Sequence, residues 1–112
     1  MEQKYELYLK DMLEAVNSIL EYTEGMSFEE FEDSRMEKDA ALRNFQKLGE
    51  AAGEIPEEYR KENTQISWQD IKDFRNVIIH QYWKIDEEIA WEIIQEKLPE
   101  LKQKLEKRAE QR

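Results

Sequence analysis

The chain contains no cysteine, only three glycines and two prolines, and no long apolar run. Without cysteine it can form no disulfide framework, thiolate nucleophile or zinc–thiolate site. So few glycines and prolines leave little room for the turns of a β-sandwich or barrel. No apolar run approaches the roughly 20 residues that span a bilayer, and the first residues lack the basic and apolar regions of a secretory signal. We therefore expect a soluble cytoplasmic protein with no membrane partner.

Basic residues are also scarce, with 17 lysines and arginines against 27 acidic residues and a net charge of −10. Broad binding to a nucleic-acid backbone is driven by basic side chains that neutralise phosphates and release their counterions, so this balance argues against such binding, and we expect no DNA partner. The tail from Lys97 is different, with six basic residues against three acidic ones. A polyanion could dock on such a patch, although most of these charges are more simply solvated helix faces.

The remaining composition suits a single helical domain over residues 1–112, with 39% hydrophobic and 39% charged residues. Apolar residues recur at intervals of three and four in four stretches, and this spacing predicts four amphipathic helices. With short connections, the pattern predicts an all-α fold, an antiparallel four-helix bundle with one or two extra short helices. The predicted long helices cover about Glu2–Tyr22, Ser34–Ile55, Ser67–Tyr82 and Asp86 onward.

Local signals set the expected helix boundaries. Gly25 is a stop signal, and Gly53 with Pro56 should end the second long helix. The polar segment 57–65 is either a loop or one irregular helical turn, and Pro99 should kink the last helix. Side-chain caps are predicted at the residues Ser27, Ser34, Ser67 and Asp86.

The only histidine, His80, lies in one stretch with Arg75, Asn76 and Tyr82. On a continuous helix, Asn76 and His80 would share a face, and Arg75 and Tyr82 would form the adjacent row. A neutral imidazole can take or give a proton, and a guanidinium can hold a phosphate with two hydrogen bonds. These groups are sufficient for metal-independent RNA cleavage. A lone histidine without clustered partners predicts no metal site, and no cofactor is expected.

The same residues also have plainer interpretations. A lone histidine beside isoleucines is more often a structural residue than a catalytic one. Tyr82 and Trp83 are more often core or interface aromatics than functional groups. Arg75 could form only a weak surface ion pair with Asp70 or Asp73.

One copy of the stretch also lacks the second general acid–base group that ribonuclease chemistry normally uses. A two-fold dimer through the third and fourth helices would bring two His80 and two Arg75 side chains to one cleft. The consecutive Val77, Ile78 and Ile79 indicate that the third helix either sits centrally or has a second apolar face against another subunit. The catalytic hypothesis therefore includes a homodimer.

The order Arg75-Asn76, three residues, His80, one residue, Tyr82 resembles the signature of the HEPN superfamily, specifically its minimal HepT type. The resemblance covers nearly the whole chain. Its other segments are Asn44–Ala51, Ile55-Pro56 with Tyr59, Ile66–Ile71, and Asp86, Trp91, Ile93-Ile94 and Leu98–Leu101.

The resemblance implies an all-helical homodimer with the motif in the dimer cleft. It implies a metal-independent toxin ribonuclease, encoded beside a minimal nucleotidyltransferase that acts as the antitoxin. Arg75 and His80 would be catalytic, Asn76 would support them, and the antitoxin would add AMP to Tyr82. A bulky anionic group there would block the phosphate site and occupy the arginine. Glu50 matches a recurrent acidic position and is a candidate cleft residue.

The sequence therefore supports three hypotheses. The leading one is an endoribonuclease toxin that acts on RNA through Arg75 and His80. The alternative is a non-catalytic helical binding partner of a nucleotidyltransferase. The third is a purely structural helical dimer, in which Arg75 and His80 would point into packing or solvent with no shared cleft.

Overall fold

The computed structural model describes residues 4–80 and 83–110, and these are folded almost entirely into α-helices. The all-α prediction is confirmed for this part of the chain. The last two helices are joined by a π-helical turn, Ile93–Lys97, so that helical backbone is continuous from residue 87 to residue 110. The helices are α1 Lys4–Thr23, α2 Phe28–Asp33, α3 Arg35–Glu54, α4 Glu57–Glu62, α5 Trp68–Ile78, α6 Glu87–Glu92 and α7 Leu98–Glu110.

Three of the four predicted caps form. Ser27 accepts a hydrogen bond from the backbone N–H of Glu30, whose carboxylate accepts one from Ser27 N–H, which completes a capping box. Ser34 accepts from the N–H of Glu37, and Asp86 accepts from the N–H of residue 89 at 3.1 Å. Ser67 occupies the N-cap position of α5, but its side chain makes no capping bond. The cap predicted at Ser67 is therefore wrong in its hydrogen bonding although right in its place.

The predicted ends of α1 and α3 differ in accuracy. Gly25 follows the end of α1 with a φ of +77°, a left-handed conformation that glycine adopts without strain. Gly53, in contrast, lies inside α3, which continues to Glu54. The chain leaves the helix at Ile55, because that residue is extended, as residues before proline tend to be.

The connection from α4 to α5 is fixed by a buried amide. The segment expected to be a loop or one helical turn forms the short helix α4. Asn63, which is 1% exposed, donates to the carbonyl of Tyr59 at 2.8 Å, and its own carbonyl accepts from the Trp68 indole at 3.1 Å. These bonds hold the first turn of α5 in place, and α5 carries part of the candidate site.

The core forms where α3 lies between two other helices. The most extensive helix contacts join α1 to α3, followed by α3 to α5 and α1 to α7. Each of these helices buries the apolar stripe that its sequence spacing predicts. The largest fully buried side chains are Met12, Val16, Ile19, Phe31, Phe45, Leu48, Ile55, Ile66, Ile71, Ile78, Ile94 and Leu98.

The irregularity expected near Pro99 lies just before it. Proline has no N–H to continue the helical ladder, and the preceding turn is π-helical, with the N–H of Leu98 bonded to the carbonyl of Ile93. A π turn inserts one extra residue, and this is a known cause of helix distortion.

An ion pair joins the start of α3 to the start of α6. Lys38 Nζ lies 3.1 Å from Glu87 Oε1, with side chains that are 19% and 30% exposed. Burial raises the pKa of Glu87, but the residue's own backbone N–H and Lys38 outweigh it, so the pKa lies below its ordinary value of 4.5.

Glu87→Gln is expected to lower the unfolding free energy by about 0.5–1 kcal/mol at pH 7, because a partly exposed ion pair contributes little more. A depressed carboxyl pKa gives stability that is present above the unfolded-state value and is lost as pH falls through the folded one. The gap between variant and wild type in urea denaturation should therefore close below about pH 4. Glu88→Gln, an exposed neighbour in the same first turn, is the control and should change little. An equal loss at pH 3 and pH 7 would contradict the assignment.

No helix in the described ranges is both long enough and apolar enough to cross a membrane.

Candidate functional site

Arg75 lies in the last turn of α5 and is half-buried. Its Nε is buried with no hydrogen-bond partner, and its Nη1 lies 3.5 Å from Asn76 Oδ1. The surface ion pair considered with Asp70 or Asp73 does not form, and Asp73 instead accepts hydrogen bonds from Gln69. Within residues 4–80 and 83–110, Arg75 makes no salt bridge. Its guanidinium thus has hydrogen-bonding capacity that the described residues leave unused.

Helix α5, which is the third of the predicted long helices, ends earlier than its apolar spacing predicts. It stops at Ile78, and Ile79 is extended and forms an isolated antiparallel bridge with Ile85. The carbonyl of Ile78 accepts from the N–H of Asp86 at 2.6 Å, so it is not left for a further helical turn. Val77, Ile78 and Ile79 are consecutive β-branched residues, and such residues favour extended backbone. This preference explains why the helix ends at this point.

This early end corrects the predicted geometry of the stretch. His80 lies beyond the helix, so Asn76 and His80 do not form a row on one helical face. Tyr82, the predicted modification site and the other end of the second row, lies outside the described residues.

His80 and the arginine nevertheless meet in space. A surface depression of about 210 Å³ is lined by Arg75, Asn76, Ile79, His80 and Trp83. The His80 side chain is exposed, and its imidazole makes no hydrogen bond to another described residue. The described residues therefore give this histidine no structural hydrogen bond, and its catalytic role stays a prediction. An imidazole beside a guanidinium can move a proton while the guanidinium binds an oxyanion.

A second depression, of about 400 Å³, continues from the first along the seam between α3 and α5. Arg75 and Asn76 line both. The two helices approach closely at Gly49, where an added Cβ would lie in van der Waals contact, 3.4 Å from the carbonyl oxygen of Lys72. The other residues lining this second depression are Phe45, Gln46 and Glu50.

Glu50, the acidic candidate, is exposed on α3 and lines this second depression with Arg75 and Asn76. It forms no salt bridge among the described residues. The Glu50 carboxylate and the Arg75 guanidinium therefore belong to residues that line one groove without pairing with each other. Lys72 adds a second cation to this groove. The groove therefore carries mixed charge within a protein that is acidic overall.

A metal ion would need at least three clustered ligands such as His, Asp or Glu. Among the residues that the structure describes, no such group is present.

A family model described as "Ribonuclease HepT-like" matches residues 12–108 of the chain. The chain belongs to the HepT-like ribonuclease family. The resemblance carried by the stretch from Arg75 to Tyr82 is thereby confirmed at the level of the family.

Curated relatives agree with the HepT-like assignment. A Thermococcus cleftensis protein named "Probable ribonuclease HepT" is 32% identical over 96% of this chain and 97% of its own. A Methanocaldococcus jannaschii protein named "Putative RNase MJ1380" is 31% identical over 88% of this chain and 91% of its own. A second protein of that organism, "Gamma-glutamylcyclotransferase and putative RNase MJ0434", is 30% identical over 94% of this chain. The match covers only 47% of that longer protein. The comparison with solved structures found no significant match.

Two residues that line the candidate site, Lys72 and Trp83, were not predicted as site residues from the sequence. Lys72 lies three residues before Arg75 and four before Asn76, so helical spacing already places the three on one face. Trp83 was interpreted as a core or interface aromatic, yet its side chain is 83% exposed, so the core interpretation is wrong. Its position directly after the motif was the available signal, but its side-chain direction depends on the backbone beyond α5.

Proposed function

We propose that the protein is a metal-independent endoribonuclease toxin with Arg75 and His80 as its catalytic residues. The observation that carries the proposal is the shared depression in which the half-buried arginine and the exposed histidine meet. Membership of a ribonuclease family supplies the substrate class, RNA. Asn76, which is exposed beside the Arg75 guanidinium, supports the arginine by orienting it.

The chemistry requires only protein side chains and the RNA itself. An imidazole takes the proton of a ribose 2′-hydroxyl, and the oxygen attacks the adjacent phosphorus. The O2′–P bond forms as the P–O5′ bond breaks, and a protonated imidazole gives a proton to the leaving 5′ oxygen. The guanidinium neutralises the charge that builds on the phosphoryl oxygens. The products are a 2′,3′-cyclic phosphate and a 5′-hydroxyl.

These reaction steps need two acid–base groups, and the chain holds a single histidine. We propose a homodimer of four-helix bundles in which a second copy contributes its own His80 and Arg75 to one cleft. The exposed position of His80 supports this, since a residue at the surface can face a second subunit without a change of fold.

Control of the toxin is proposed to occur at Tyr82. A cognate minimal nucleotidyltransferase, acting as antitoxin, would transfer AMP to this tyrosine. Tyr82 lies two residues after His80 in the sequence, so the added phosphate would be tethered close to the catalytic groups. An anion held there would compete with the RNA phosphate for Arg75.

Purified wild-type protein is expected to cleave RNA in the presence of EDTA and to leave 2′,3′-cyclic phosphate ends, detectable by mass spectrometry. Transfer, ribosomal and messenger RNAs should be assayed together, with sedimentation of the same preparation to test for a dimer. Intact RNA in all three classes would refute the nuclease. Intact RNA together with a stable complex with the neighbouring nucleotidyltransferase would support the non-catalytic alternative instead.

A further inference from the structure

Trp83 combines two unusual features for a tryptophan. Its side chain is 83% exposed, although burial of so large an aromatic surface is strongly favourable. Its backbone φ is +61°, a left-handed conformation that costs a bulky L-residue free energy. Neither feature helps the fold of this subunit. Strained backbone and exposed aromatics both concentrate at functional sites.

The Trp83 backbone is held firmly against the catalytic segment. Its N–H donates to the carbonyl of His80 at 2.8 Å, and the N–H of His80 donates to the carbonyl of Lys84 at 3.1 Å. The bridge between Ile79 and Ile85 closes the same segment. The position of Trp83 relative to His80 is therefore set by backbone hydrogen bonds.

Trp83 lines the same depression as Arg75 and His80. An anion bound by Arg75 would thus lie beside a flat apolar surface. A nucleotide has both parts, a phosphate and an aromatic base, and the depression offers a group for each.

The charge of the protein makes a stacking contact especially useful. With a net charge of −10, the protein gains little RNA affinity from long-range electrostatics. Base stacking on aromatic side chains is independent of protein charge and accepts any base. A single phosphate site with a stacking platform next to it could hold RNA where a broad basic surface is absent.

We propose that Trp83 is a positioning residue that stacks on the nucleobase next to the scissile phosphate. This inference rests on the proposed ribonuclease function and adds to it a defined contact with the substrate. Stacking would fix the ribose near His80 and the phosphate near Arg75, which is the alignment that in-line attack requires.

Binding can be measured apart from cleavage by using the His80→Ala protein and a fluorescent single-stranded RNA oligonucleotide. Adding Trp83→Ala is expected to weaken binding about tenfold, and Trp83→Phe should restore most of the affinity. Tyr22→Ala, which removes an exposed aromatic on α1, should leave the affinity unchanged.

The decisive comparison uses RNAs that carry one abasic site at successive positions. When the abasic site is at the position that stacks on Trp83, the RNA should bind equally well with and without the Trp83→Ala change, while at distant positions the tenfold difference should remain. A loss of affinity that is the same at every position, or that accompanies a change in sedimentation, would overturn the proposal in favour of a subunit contact. RNA cleavage by the wild type separates the failure of the stacking role from the failure of the ribonuclease function. If the wild type cleaves RNA and Trp83→Ala binds RNA normally, only the stacking role fails. If the wild type does not cleave RNA, the proposed function fails.

Discussion

His80→Ala and Arg75→Ala are each expected to lower the rate of RNA cleavage by about 10²- to 10⁴-fold. General acid–base catalysis contributes this range, and removing a group that stabilises transition-state charge costs about as much. The His80 side chain is exposed and its imidazole makes no hydrogen bond to the described residues, so its loss should change the unfolding free energy by less than about 0.5 kcal/mol. Single-turnover cleavage of a labelled RNA, together with urea denaturation, measures both quantities.

The arginine variant needs a charge-matched control. Arg35→Ala removes a cation whose side chain is 93% exposed at the start of α3, where it pairs only loosely with Asp39 at 3.9 Å. This change should leave cleavage within about twofold, because an exposed charge outside the site has only a screened effect. If Arg75→Ala and Arg35→Ala slow cleavage equally, Arg75 acts through general charge and the catalytic assignment fails.

The helix boundaries that could be predicted are those decided by neighbouring residues. Ser27, Ser34 and Asp86 each cap a helix through a hydrogen bond to a residue three positions ahead, and such bonds can be read from short spacings. The end of α5 could not be read in this way. It depends on a pairing between Ile79 and Ile85, while the apolar helical spacing continued through Tyr82.

In the candidate site, too, some features follow from neighbouring residues and others depend on contacts between distant parts of the chain. Arg75, Asn76 and His80 do line one depression, but His80 follows extended backbone at Ile79 and is not in the helical row that the spacing predicted. The position of Glu50 could not be predicted because it depends on how α3 packs against α5. The two helices pack closely at Gly49, where an added Cβ would already be in van der Waals contact with the α5 backbone. The family resemblance is confirmed for the chain, the roles given to these residues stay predictions, and the tertiary contacts decide how the residues are arranged.

Phe45→Ala is expected to lower the unfolding free energy by about 3–5 kcal/mol and also to disable RNA binding. Phe45 is 1% exposed, packs edge-to-face on Phe74 with ring centroids 6.0 Å apart, and lines the depression between α3 and α5. Its loss leaves a cavity directly under the groove, so the walls that carry Arg75 should shift even in molecules that remain folded. Urea denaturation measures the loss of stability, and RNA anisotropy at a temperature well below the midpoint measures the loss of binding.

The control is Phe28→Ala, which removes a half-buried ring that packs on Trp91 with ring centroids 6.3 Å apart. It should destabilise the fold to a smaller extent and leave the affinity of the folded protein unchanged. Normal RNA affinity in folded Phe45→Ala would show that the groove does not depend on this core contact.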